Sequence, residues 1–391
     1  MASPTDLNQY RKQRKRKKLT KRLLKFLAII LFVLIIGVIW ITREYWLSWF
    51  DGIAGRAEDI IVNDGQIDGG NFPLSFGETG EVVLMSSGET VRILTDTHIN
   101  SYDSDGKKLM SYQHGYNEPI LKSSVKRSII YDLGGYSFIV ISKNKIIYQQ
   151  TLDNQILYAS VSDEGYSAVV TKTDKYVSYL TIYDQYGDEI FNWAGGKRVI
   201  DVSFKPDSSG CYVTTISAKN GTLLSAVTSL DFSKEETLFE TTMSETLIIK
   251  TKRCDNGDLW CIGDDRMFRV SSDGEILWRY DYPDTIMCYD MSQKICAFAF
   301  EAAIKDEYTL VLQSKKQNEP FRIKFEDRIK AVKCVDDTVY VLTTKQLLTY
   351  NKNGTNLACA DIENAYSDFM VIEDYVYLLG YHKIDRMEFL T

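Results

Sequence analysis

Eight short apolar runs, each beginning just after a turn, recur along the chain: TVRILTD (90–96), RSIIYDL (127–133), YSAVVTK (166–172), CYVTTIS (211–217), DLWCIGD (258–264), KICAFAFE (294–301), TVYVLTT (338–344) and YVYLLGY (375–381). Their spacing averages about 40 residues, the length of one four-stranded unit in a radial β-architecture. Between them lie further apolar or alternating runs separated by Gly, Asn, Asp and Ser, the pattern of strands and turns; after residue 70 no segment reads as an amphipathic helix. A four-stranded sheet cannot bury both of its faces alone. Sheets packed around an axis cover one another, and the arrangement closes on itself. The repeat therefore predicts an all-β propeller of eight blades, with seven as the alternative count.

A second pattern recurs in every other unit. The stretches NSYDSDGKKLMSY (100–112), TIYDQYGDEIFNW (181–193), FRVSSDGEILWRY (268–280) and LTYNKNGTNLACA (348–360) align without a gap, and Gly106, Gly187, Gly274 and Gly354 share one position. Each Gly fits the positive-φ place of a hairpin. The apolar residue three further on (Leu109, Ile190, Leu277, Leu357) is expected to face the neighbouring blade. Looser hairpins fall between them, near Tyr148, Asp231 and Gln313. The last unit (Tyr366 to Leu390) shows about three strands, so NFPLSF (Asn71 to Phe76) is expected to supply its missing outer strand.

The N-terminus obeys a different rule. RKQRKRKKLTKRLLK (Arg11 to Lys25) holds ten cations and no anion, and FLAIILFVLIIGVIWI (Phe26 to Ile41) follows with sixteen uncharged residues. With Leu23 and Leu24 the run has the length that crosses a hydrocarbon core. Lys25 can snorkel to the headgroups. Tyr45, Trp46 and Trp49 supply an interfacial aromatic belt. A cleaved signal peptide needs small residues after the apolar run, where this chain has Trp40 and Ile41. The positive-inside rule puts the N-terminus in the cytoplasm and the rest outside, and the basic tract can also attract anionic lipid. The chain thus divides into a basic tail (1–22), a single transmembrane helix (23–42), a juxtamembrane linker (43–70) and an extracytoplasmic propeller (71–391).

Residues 51–391 carry 35 Lys/Arg against 51 Asp/Glu, a net of −16 that argues against nucleic acid as a partner. The same charge favours cationic partners or divalent ions, and equally the solubility of an exposed domain. Seven scattered cysteines include no CxxC. Cys211, Cys261 and Cys296 sit inside apolar runs as small hydrophobes. A Gly257-Asp258 turn would set Cys254 opposite Cys261. So many unpaired thiols suggest a reducing or anaerobic setting.

Recognised catalytic patterns are missing from the sequence. Asp103 and Asp105 before Gly106 imitate part of a calcium loop, but the position of its closing Glu is His114. His98, His114 and His382 are far apart and match no zinc spacing. There is no GxSxG, Walker or GxGxxG motif. Asn220-Gly-Thr222 and Asn353-Gly-Thr355 read as Asn-Gly turns before glycosylation sites. No catalytic, cofactor-binding or metal-binding residue is assigned, and no cofactor.

The aligned Gly hairpins resemble the repeats of quinoprotein-like and WD40-like propellers. In the quinoprotein repeat a Trp stands four residues after the Gly and docks between blades. Here Met110, Phe191, Trp278 and Ala358 hold that place, so the resemblance implies the fold more than the cofactor. The basic tail, the single apolar span, the YDSDGKKL hairpin and EPILKSSVKRSIIYDLGGYSF (118–138) also resemble an uncharacterised family of membrane-anchored propellers of Gram-positive bacteria, which implies no activity. Two readings follow. The first is a membrane-tethered, non-catalytic binding or scaffolding module for a protein or cell-envelope ligand. The alternative is a quinone-dependent dehydrogenase-like or glycan-hydrolysing propeller enzyme.

Overall fold

The computed structural model describes residues 60–391 apart from 68–69, 78–81, 304–306, 316, 318 and 363–364. The expected membrane helix, 23–42, lies outside the described residues. Among those described, no helix is long and apolar enough to cross a membrane.

Eight sheets follow one another along the chain, each a meander of neighbouring antiparallel strands. Blades 1 to 8 cover 83–113, 119–151, 156–195, 198–244, 248–281, 285–325, 329–361 and 368–388. The first strand of each blade is innermost and meets the first strands of its neighbours, including blade 8 against blade 1, so the ring closes. The eight apolar runs picked out in the sequence are the second strands, one per blade. Their burial explains their continuous hydrophobicity. Ser128–Asp132 and Ser167–Thr171 are buried at every position, because both faces are covered by adjacent blades. Outer strands alternate instead. In Ile276–Asp281 only Trp278 and Tyr280 turn inward.

The ring has no single core. Eight separate clusters of buried apolar side chains each join two neighbouring blades. Between blades 5 and 6, for example, Trp260, Ile262 and Met267 meet Phe298, Phe300 and Val311. Trp278 packs against this cluster and stacks on Tyr280, ring centroids 5.9 Å apart.

Closure uses the expected segment. Leu74–Ser75 pairs antiparallel with Lys383–Glu388 and completes blade 8 as its outer strand. Arg386, almost fully buried, donates to Ser104 O at 2.7 Å and Asp105 Oδ1 at 3.0 Å, tying blade 8 to the first hairpin of blade 1. Asp103 meanwhile accepts from the amides of Asp105 and Lys107 within its own turn. The apparent calcium fragment is therefore a turn and an ion pair. Part of the expected linker also lies on the propeller: Ile61–Val62 adds a parallel fifth strand outside blade 7, and Ile67 bridges to Met387.

The aligned glycines sit at φ values of +80, +97, +92 and +77°. The reason for Gly is an aromatic ring from the preceding blade. A Cβ would strike Phe72 at Gly106, Tyr148 at Gly187, Phe239 at Gly274 and Phe321 at Gly354. The odd blades supply the Gly turn and the even blades the ring, with Phe72 serving blade 8. The residue three further on does not fill this role. Ile190 is 44% and Leu277 47% exposed, whereas Met110, Phe191, Trp278 and Ala358, one place later, join the interblade clusters. The residue three further on is itself the extra one of a bulge just after each turn: Val270 pairs with Ile276 and Arg269 with Trp278, leaving Leu277 unpaired, and Leu109, Ile190 and Leu357 are skipped in the same way.

Two sequence expectations about turns and thiols have different outcomes. Asn220 and Gly221 both have positive φ in a two-residue hairpin, as expected of Asn-Gly. Cys254 does not face Cys261, because Arg253 pairs with Leu259 and Thr251 with Cys261. The seven cysteines are free thiols. Burial pushes up the thiols of Cys211, Cys261, Cys296 and Cys334, and those of Cys254 and Cys288 to about 12.

Two outcomes are expected. At pH 8 under native conditions, iodoacetamide should modify at most one of the seven thiols, with all seven reacting after denaturation, as read by intact mass. Gly115→Ala, at φ +66° with no neighbour within 4 Å, should cost about 1–2 kcal/mol from the backbone alone. Gly274→Ala must also displace Phe239 and should cost at least about 1 kcal/mol more in urea unfolding.

Candidate functional site

The innermost strands of blades 3 to 7 share a local irregularity. Each shifts register at the same place, bulging at Leu157, Ile200, Ile249, Met287 and Lys330. Such bulges re-aim the side chains that follow them. In blades 3, 4 and 5 those side chains are Tyr158, Asp201 and Lys250, and they converge at the axis.

Asp201 is the centre of this group and is 1% exposed. Its Oδ1 accepts from Tyr158 Oη at 2.7 Å and Lys250 Nζ at 2.6 Å. Its Oδ2 accepts from Thr251 N at 3.0 Å and Thr251 Oγ1 at 3.2 Å. One carboxylate thus links three blades with its four lone-pair directions occupied. Burial, followed by the charge of Asp201, pushes the Tyr158 phenol far above the ordinary range and keeps it a hydrogen-bond donor. Polar links continue around the axis. Lys252 Nζ donates to Met291 O at 2.7 Å, Cys334 N donates to Asp290 Oδ2 at 2.7 Å, and Lys333 pairs with Asp368 at 3.0 Å.

Above this level lies a funnel of about 450 Å³, lined by the inner strands of blades 2 to 6 and by Met85 of blade 1. It opens where the first strand of each blade turns into the second. The turns hold one another: Ser124 Oγ donates to Ser162 O at 2.8 Å, and Ser208 Oγ donates to Ser162 Oγ at 2.8 Å. Five cations line the funnel (Lys122, Lys205, Lys250, Lys252, Arg253) against Asp163 and Asp290. Both carboxylates are engaged by a neighbouring blade, since Asp163 Oδ1 accepts from Val125 N. Desolvation, and then repulsion by Lys250, lower the pKa of Lys122.

The residues weighed from the sequence lie elsewhere. His114 bonds Thr95 O at 3.1 Å and accepts from Tyr116 N, and His382 packs on Tyr381 in blade 8. No group of His, Cys, Asp and Glu among the described residues is arranged to hold a metal. The axial set was missed. Its local signal is a polar residue directly after two apolar ones at matching places: Ile156-Leu157-Tyr158, Val199-Ile200-Asp201 and Ile248-Ile249-Lys250. A quinone–calcium centre needs carboxylates free to ligate. Asp201 has its acceptor positions taken by Tyr158, Lys250 and Thr251, so the axial residues do not fit that group.

Fold and site together define an eight-bladed propeller with a cation-lined axial funnel. The chain belongs to DUF5711, a family of unknown function whose model matches residues 76–389. No curated protein matches the sequence. Solved structures that share the fold include the following three. Sqt1 of Saccharomyces cerevisiae is 12% identical, TM-score 0.62, covering 85% of this chain and 100% of its own. BamB from Moraxella catarrhalis is 10% identical, TM-score 0.56, covering 83% of this chain and 98% of its own. The quinohemoprotein alcohol dehydrogenase ADHIIG from Pseudomonas putida HK5 is 8% identical, TM-score 0.53, covering 80% of this chain and 72% of its own.

Removing Asp201 strands Lys250 and Tyr158 together. Asp201→Ala should cost about 3 kcal/mol in urea unfolding, low in the range for a broken buried pair because solvent reaches Lys250. Lys250→Met should cost distinctly less, since Asp201 keeps three donors. Equal effects would remove Asp201 from the centre of the group.

Proposed function

We propose that this protein is a non-catalytic binding module, held in a membrane by residues 23–42, with its N-terminus cytoplasmic and its propeller outside, that takes a protein or cell-envelope ligand at the axial funnel. The observation that carries this reading is the funnel itself, built from side chains of six blades and rimmed by turns that hydrogen-bond to one another. A ring whose walls are fixed by separate interblade clusters presents such a surface with little ordering cost on binding. The apolar run with its basic flank and aromatic belt supports the tether.

The test uses the full-length protein in its own membrane. Protease added to intact cells freed of wall should digest the propeller and spare an N-terminal tag; the reverse pattern overturns the orientation. Detergent-solubilised protein should retain a component of envelope extract above an inert control, and Lys205→Glu at the funnel should reduce retention. Equal retention by the variant would move binding away from the funnel.

A further inference from the structure

We propose that the floor of the axial funnel is a site for one anionic group, a phosphate or a carboxylate, borne by a larger ligand and held by Lys122 together with Lys250. The proposal rests on the funnel being the binding surface and adds the chemistry of what enters it.

Two ammonium groups at the floor, from blades 2 and 5, face one carboxylate, Asp201. That carboxylate is saturated by Tyr158, Lys250 and Thr251, so it has no acceptor left for Lys122. No hydrogen bond or ion pair of Lys122 occurs among the described residues, whereas Lys250 spends one donor on Asp201. The funnel therefore carries an excess positive charge with unspent N–H groups. It does so in a region, residues 51–391, whose net charge is −16.

The walls agree with the floor. Arg253 Nε is buried without a partner. Asp163 accepts from a backbone amide of the preceding blade and Asp290 from one of the following blade, which leaves them less able to neutralise the neighbouring lysines. An anion between Lys122 and Lys250 would relieve their repulsion and accept charge-assisted hydrogen bonds from both. At about 450 Å³ the funnel is larger than a single phosphate or carboxylate, so the group is the end of something bigger.

The test titrates full-length protein with inorganic phosphate, and separately with acetate and glycerol 3-phosphate, by calorimetry. Saturable binding is expected for at least one. Preference for phosphate and its monoester over acetate identifies a phosphate ligand; the reverse identifies a carboxylate. Lys122→Met should weaken binding at least about tenfold, the loss of one charge-assisted hydrogen bond. Lys122→Arg should keep most of it, and Lys234→Met, on an exposed turn, should change nothing. A second readout separates recognition from folding. The 13C-methylated Lys122 signal, assigned by its loss in the Met variant, should titrate at higher pH when the anion is bound. Unchanged titration, or binding that Lys122→Met does not weaken, overturns the site. If envelope material is still retained in either case, the binding-module reading survives without it.

Discussion

The propeller exists because each blade is finished by its neighbour. No blade buries its own faces, and the apolar side chains gather in eight clusters, each shared by two blades. Every interface is therefore needed to complete two sheets. Closure between blades 8 and 1 matters most, because there the first and last blades of the ring must meet. Leu74–Ser75, the Phe72 ring and the Arg386 guanidinium all act at that seam. Arg386 also lies 4.5 Å from the centroid of Tyr375 and 5.3 Å from that of Phe72, so its charge is received by two rings as well as by Asp105.

Much of this architecture was legible in the sequence, since it is written in local patterns. The fully buried second strands read as unbroken apolar runs, and their spacing gave the blade count. The Gly hairpins were visible too, but their cause was not. Tyr148 and Gly187 are far apart in sequence, as are Phe239 and Gly274, and nothing local pairs them. Leu277 does not face the neighbouring blade because it is the extra residue of a bulge after the turn, which moves the inward position to Trp278. Likewise the opposition of Cys254 and Cys261 assumed a shorter connection than the one that pairs Arg253 with Leu259.

The axial group was hidden for a related reason. Tyr158 and Asp201 are 43 residues apart, and Asp201 and Lys250 are 49 apart, one blade in each case. Only the packing of consecutive blades brings them into hydrogen-bond contact. Composition pointed the other way, because a strongly acidic total suggests cationic partners. Total charge fixes the far field of a protein but not the sign inside a concave site, where a few lysines from successive strands dominate.

The alternation of Gly turn and aromatic ring around the circle has a consequence for how such a ring can change in size. Each odd blade is a socket and each even blade a plug. Removing or duplicating one blade would set two sockets, or two plugs, side by side: Gly106 against Gly354, or Tyr148 against Phe239. Growth or loss by pairs keeps every junction complementary. The ring is accordingly four double blades in series on one chain, and parity, as much as length, limits which ring sizes keep each Gly turn beside an aromatic ring.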